Sequence, residues 1–411
     1  MAKLIGLVLL AYLLSPAVSD SYSVISHIAI IDSSWDKFIV PVIQHRFPNA
    51  TKEEIVNSRK FAYGGCIIQD LGFYPSGNRF FSDLLHYVRS GDFVRSLLRN
   101  SENPNDYAFA LGALAHYASD NTGHPLATNL AVPMLYPNLR KKYGNVVTFD
   151  DKPSAHLKVE FGFDVVQVAR GNYLSDNYHD FIGFDVSQDV LVKSFTEVYG
   201  LSVSDLFPNF EGTIRTYRYT VTGLIPDAIK IAWQMHKEDI QKLTTREKFF
   251  FRLPRSEFEA KYGTDYKKPS WASKVMAFFV KILPGIGPLK ILKFKTPTPE
   301  AEALFIKSFE STLQTYHQLL SKVRETNFDF PDMDLDTGKL AEPGEYRLTD
   351  ETYASWVQEL SKKNFATLDG GIRQNILAFY EDPSRLLEPQ PKKRIELQEE
   401  LQRLTETSAS R

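Results

Sequence analysis

The chain has 411 residues, 24% of them charged, and a formal net charge of −2 at pH 7 with histidine neutral. That near-neutral balance argues against a broad nucleic-acid surface. Cys66 is the single cysteine, so no internal disulfide can form.

At the N-terminus Lys3 precedes an apolar run, residues 4–14, followed by Pro16, Ala17 and Ser19. A basic start, a short apolar stretch and small residues near a cut read as a secretory signal, residues 1–21. The run falls short of the ~20 residues a membrane-spanning helix needs. A buried first helix is the competing reading. Cleavage after Ser21 makes Tyr22 the first mature residue; cleavage before Asp20 is the alternative cut. Export with one cysteine fits a periplasmic or secreted protein.

Residues 22–245 are dense in apolar residues at helical spacing, with one apolar face each in 80–88, 107–118 and 156–169. Turn clusters separate them at 74–78, 103–105 and 133–137. Strand-like alternation is scarce, and the expected fold is all-α. Residues 246–298 read as a linker, with a charged stretch at 252–266. Residues 271–295, mixing Trp and Phe with lysines, would suit either a membrane-surface element or a segment packed on the main body. A helix is expected over 300–325, behind Thr298 and Pro299, within a C-terminal helical region, 299–384. Asp332, Asp334 and Asp336 with Gly338 resemble part of a calcium loop, but the closing Glu is absent, so they are read as a turn. One or two helices follow over 351–380, then a charged, frayed tail, 385–411.

Five of the nine histidines belong to one ordered set: His27, Asp70, His86, His116, Asp120, His124, His156 and Glu160. His116, Asp120 and His124 are four apart, as are His156 and Glu160, a spacing that puts neighbours on one helix face. Each step drifts ~40° around the helix. The three therefore suit two or three ions side by side, with Asp120 in the middle, better than a single ion. Imidazole with carboxylate and no thiolate suits zinc in an open, hydrolytic site. Pro125 should end or kink this helix. Asp70 follows an apolar run into a turn, where it can be held rigidly yet stay open to solvent. Taken singly, each of these residues has a structural reading: a satisfied core histidine, or an i,i+4 surface pair for His156 and Glu160.

The series His, Asp, His, His-x3-Asp-x3-His, His-x3-Glu resembles the zinc-dependent phospholipase C family, which shares an all-α, three-zinc fold with the fungal single-strand zinc nucleases. The phrases that carry the resemblance are Ser26-His27-Ile28, Gln69-Asp70-Leu71-Gly72, His86-Tyr87, HYASDNTGHP from His116 and HLKVE from His156. It implies Asp70, His86, His116 and Asp120 as ligands of one zinc, and His124, His156 and Glu160 as ligands of a second. His27 and the bridging Asp120 would hold a third, together with the amino group and carbonyl of Tyr22. Asp70 would serve as ligand or as catalytic base. The short Asp120-to-His124 separation looks more like the glycosylphosphatidylinositol-cleaving phospholipase D branch, and Tyr22 stands where the phospholipases and nucleases usually have Trp. The function implied is hydrolysis of phospholipid head groups or another phosphodiester, with possible membrane-surface contact. A single-strand nuclease on the same metals, or a non-catalytic secreted metal-binding protein, is the alternative. Oligomeric state is not legible.

Overall fold

The computed structural model describes residues 24–169, 183–241, 291–325, 328–366, 368–387 and 391–409. The signal segment with Tyr22, the 252–266 stretch and residues 271–290 lie outside the described residues.

In chain order the helices are α1 (Val24–Ser34), α2 (Val40–Arg46), α3 (Lys52–Gly65), α4 (Arg79–Tyr87), α5 (Ser90–Asn100), α6 (Pro104–Gly123), α7 (Asn129–Leu135), α8 (Pro137–Tyr143) and α9 (Pro153–Ala169). They continue with α10 (Gln188–Tyr199), α11 (Val203–Leu206), α12 (Phe210–Tyr219), α13 (Ile225–Met235), α14 (Lys237–Gln241) and α15 (Pro299–Lys322). After a hairpin of β1 (Met333–Asp334) and β2 (Lys339–Leu340) come α16 (Arg347–Lys362), α17 (Gly370–Phe379) and α18 (Pro391–Ala409). The fold is all-α, as expected. The antiparallel pairs Met333↔Leu340 and Asp334↔Lys339 make up the sheet among the described residues.

Helix starts follow local side-chain chemistry. Thr51 and Glu54 form a reciprocal capping box on α3. Asn78 caps α4, and Asn103 caps α6 ahead of Pro104 at the first turn. Thr298 and Pro299 repeat that device on α15.

Helix α6 is the axis of the molecule. It is rich in Ala and Leu and buried on nearly all sides, the pattern of a helix that others surround. Helices α3 and α15 pack along it. A Cβ at Gly112 would lie 2.2 Å from the Ala62 carbonyl oxygen, so α3 and α6 touch backbone to backbone. That approach sets the turn after α3, which carries Asp70, beside the middle of α6. One apolar core runs from Val24 through α15 and α16 to Leu404. At the described end of the 271–295 stretch, Leu292 and Phe294 are buried, with Phe294 edge-on to Phe161 at 5.8 Å. Among the described residues no helix is long and apolar enough to cross a membrane.

The regular α-helix α6 stops at Gly123, just ahead of Pro125, in line with the expected end or kink. The chain passes through a wide π turn, His124–Thr128, and continues directly as α7. Proline cannot donate to the carbonyl one turn earlier, and a π turn absorbs that missing bond. The Asn121 carbonyl, left without that donor, receives the hairpin: a Cβ on Gly338 would come within 2.5 Å of its oxygen, and Gly338 has φ +69°. Both facts require glycine there.

Candidate metal centre

Four helices and two short turns bring the eight ordered residues into a single buried centre. His27 comes from α1, Asp70 from the tight turn Ile68–Phe73, and His86 from the last turn of α4. His116 and Asp120 come from α6, His124 from the start of the π turn, and His156 and Glu160 from α9. All eight are buried. Asp70 is therefore held rigidly, but it is shut away from solvent rather than open to it. His156 and Glu160 form no surface pair.

Three trios have ligand atoms lying within 4.8 Å of one another: Asp70, His86 and His116; His27, His116 and Asp120; His124, His156 and Glu160. In the first, His86 Nε2 is 3.4 Å from Asp70 Oδ1 and 3.3 Å from His116 Nε2. Asp120 faces two ways. Its Oδ1 is 3.5 Å from His27 Nε2, while its Oδ2 is 3.1 Å from His116 Nε2 and 3.5 Å from His86 Nε2. His27 and His116 stack with ring centres 4.5 Å apart. In the third trio, Glu160 Oε1 is 3.2 Å from His124 Nε2 and 2.8 Å from His156 Nε2.

The tautomers follow from the carbonyls. His86 Nδ1 donates to the Ser82 oxygen at 2.7 Å, His116 Nδ1 to the Cys66 oxygen at 3.0 Å, and His124 Nδ1 to the Leu335 oxygen at 3.0 Å. A carbonyl only accepts, so each Nδ1 carries a proton and the neutral ring offers the Nε2 lone pair inward. This is the outer bracing that metal-ligating histidines usually show. Both oxygens of Asp120 and of Glu160, and His156 Nε2, are buried with no hydrogen-bond partner among the described residues. Buried groups of this kind are costly unless something satisfies them. Imidazole nitrogens and carboxylate oxygens converging at these distances fit zinc, with His116 common to the first two trios and Asp120 in contact with both.

The side chains also fix one another's charge. Burial opposes a proton on His86, but Asp120 and Asp70 outweigh it and push its pKa up to about 10. Burial likewise opposes charge on His124, and Asp120 and Glu160 push it up to about 10. Burial would raise the two carboxyls, yet the histidines around them hold Asp120 well below, and Glu160 below, the ordinary carboxylate value. Stripped of metal, the centre keeps protons on His86 and His124, which a cation entering it must displace.

Residues 26–209 match the family model of zinc dependent phospholipase C. Over this span the chain is similar to the zinc-dependent phospholipase C family. All eight residues of the set lie inside the matched span. No curated protein and no solved structure matches the chain.

Sequence reasoning missed one participant in this centre. The turn of the β1–β2 hairpin, read from sequence only as a turn, is a turn, and it also enters the centre. Its Leu335 carbonyl braces His124, and Asp336, buried, places Oδ1 3.5 Å from His124 Nδ1. The three aspartates of the calcium-like motif diverge. Asp332 accepts from the Asp92 amide and Asp334 from the amide of Asp336 and the hydroxyl of Thr337, while Asp336 points inward. No periodicity marks which of the three does so.

A small apolar cluster of Tyr87, Phe149, Leu157, Tyr346 and Leu348 lies against the centre. Phe149 meets His156 edge-on at 5.7 Å. The same ring lines a surface cleft of about 380 Å³ whose walls include Arg79, Asp83, Asp150 and Arg347.

Proposed function

We propose that the protein is an exported zinc-dependent phosphodiesterase that hydrolyses phospholipid head groups, acting as a phospholipase C with three zinc ions. The observation that carries this reading is Asp120, whose two oxygens address two separate groups of imidazoles, as a bridge between neighbouring ions does. Zinc held there would make a water acidic near pH 7 and polarise phosphoryl oxygens.

The chain's own residues do the rest. Asp70, His86, His116 and Asp120 would hold one ion; His124, His156 and Glu160 would hold a second; His27 and Asp120 would hold a third. The Ser82, Cys66 and Leu335 carbonyls keep three of the rings in the donor-inward tautomer. Asp70 would accept the proton of the attacking water or act as a ligand only. The apolar cluster around Phe149 covers one side of the centre, and in the cleft beyond it Arg79 and Arg347 are ion-paired to Asp83, Asp150 and Glu351, partners that a phosphate-bearing head group would have to displace. The Tyr22 amino group would complete the third site after cleavage at Ser21. Support for that comes from α1, where the Ile25 amide and the Ser26 hydroxyl are held by Asp164 at 2.9 and 2.7 Å. This pins the start of the helix close to His27.

The test is the exported, processed chain, assayed for bound zinc and for cleavage of phosphatidylcholine, phosphatidylinositol and single-stranded DNA side by side. About three zinc ions with lipid cleavage is the expected result. Cleavage of DNA alone would replace the substrate class with that of a nuclease. A chain that binds no zinc would end every metal-enzyme version. N-terminal sequencing checks Tyr22 independently.

A further inference from the structure

The β1–β2 hairpin is tied to the helices that carry the metal residues by a series of specific bonds. The Leu335 amide donates to the His86 carbonyl at 3.1 Å, and His124 Nδ1 donates to the Leu335 carbonyl. Asn129 Nδ2 donates to the Asp336 carbonyl at 2.8 Å. Ser90 both donates to the Met333 carbonyl and accepts from its amide, at 2.7 and 2.9 Å. Gly338 packs against the Asn121 carbonyl so closely that a Cβ would lie 2.5 Å from its oxygen. Anchored this way, Asp336 has no freedom to swing out to solvent.

Its carboxylate is divided. Oδ2 accepts from the Tyr346 hydroxyl. Oδ1 is buried, has no hydrogen-bond partner among the described residues, and lies 3.5 Å from His124 Nδ1 and 4.0 Å from His156 Nε2. The His124 Nδ1 proton is already given to Leu335. His156 offers no donor at the facing nitrogen if that nitrogen binds metal. Oδ1 therefore faces the His156 side of the second site with no hydrogen-bond donor on it among the described residues. Two atoms each about 2.1 Å from one zinc are at most about 4.2 Å apart. The His156 Nε2 to Asp336 Oδ1 distance falls within that limit.

We infer that Asp336 is a further ligand of the His124–His156–Glu160 ion, contributed from beyond residues 26–209 and oriented by Tyr346. The inference rests on the zinc reading above. It changes what that site is: a fourth protein ligand makes it more closed and more negatively charged than three ligands do, so its ion is retained more firmly.

The test uses the full chain, stripped with chelator and reloaded with zinc or cobalt(II). Asp336→Asn is compared with Asp334→Ala, which loosens the same turn without facing the metals, and with the wild type. Zinc affinity is read by competition with a chromophoric chelator, coordination by the cobalt absorption spectrum, and folding of the stripped forms by circular dichroism. Expected for Asp336→Asn is one zinc equivalent weakened roughly 100-fold, a changed cobalt spectrum for that equivalent, and the others untouched. Asp334→Ala should keep the wild-type spectrum. Weakened zinc with an unchanged spectrum would mean that Asp336 acts only through His124, overturning ligation. Equal effects of the two variants would overturn it as well. A wild type that binds three ions while Asp336→Asn matches it removes this inference and leaves the zinc reading standing; a wild type that binds none removes both.

Discussion

Replacing Asp120 by Asn is the sharpest probe of the shared carboxylate. One charge is lost, the shape is kept, and of the two oxygens only one survives. Asp120 Oδ1 faces His27 at 3.5 Å and Oδ2 faces His116 at 3.1 Å and His86 at 3.5 Å. The amide must therefore turn an NH2 group toward one set of imidazoles and a neutral oxygen toward the other. A zinc site is worth roughly 10–16 kcal/mol, shared among about four ligands, so one ligand carries about 3 kcal/mol. That is roughly 100-fold in affinity. Asp120→Asn should weaken two ions by about that factor, whereas His86→Gln should weaken one. The assay is metal content by mass spectrometry after gel filtration in dilute chelator, on protein shown to be folded by circular dichroism. The expected order is about three ions for the wild type, about two for His86→Gln and about one for Asp120→Asn. Equal losses in the two variants would refute the bridge, as would loss of the His124–His156–Glu160 ion in either.

Zinc binding to the stripped protein at pH 7.5 should release about two protons, from His86 and His124, measured by calorimetry in buffers of different ionisation enthalpy; release of none would contradict the charge assignment. Because those two histidines have pKa values raised from 6.5 to about 10 in the fold, their contribution to stability is full below pH 6.5 and lost as pH rises through about 10. The stripped protein should accordingly melt at lower temperature at pH 9 than at pH 7, and a melting point rising over that window would refute the sign. Asp164→Ala removes the carboxylate that holds Ile25 and Ser26, and should weaken one zinc equivalent about tenfold through His27; an effect on the ion at Glu160 would show that the loss is global. Gly112→Ala forces apart the α3–α6 contact, and urea unfolding should register a loss of about 1–3 kcal/mol. A change within about 0.5 kcal/mol would mean that the helices have slack.

The eight-residue order was legible because each residue sits in a short phrase, and because fourfold spacing on a helix already says which side chains are neighbours. The all-α class followed from periodicity, the start of α15 from Thr298 and Pro299, and the gaps ahead of α4 and α6 from their turn clusters. Three features were not legible, each for its own physical reason. Pro125 marks the end of α6 by local rules, but not the π turn that carries the chain straight on into α7 with His124 facing α9. Asp70 looked free to meet solvent because burial depends on α4 and α6 closing over its turn, which local sequence does not encode. Asp336 belongs to a run of alternating acids in a turn. Only the docking of that turn on Asn121, Asn129 and His86 decides that the third acid, and not the first or second, faces the histidines.

That docking has a consequence for how the molecule is made. Every side chain from His27 to Glu160 leaves the ribosome well before Leu335 and Asp336 are synthesised. The earlier groups can meet as soon as α6 finds α3 and α9. His124, however, gains its bracing carbonyl only when nearly the whole chain exists. Completion of the centre is thus a late event in the life of each molecule, and a chain cut short before the hairpin lacks it even though every residue of the ordered set is present. The hairpin serves as the fold's own proof that translation reached the far side of the protein.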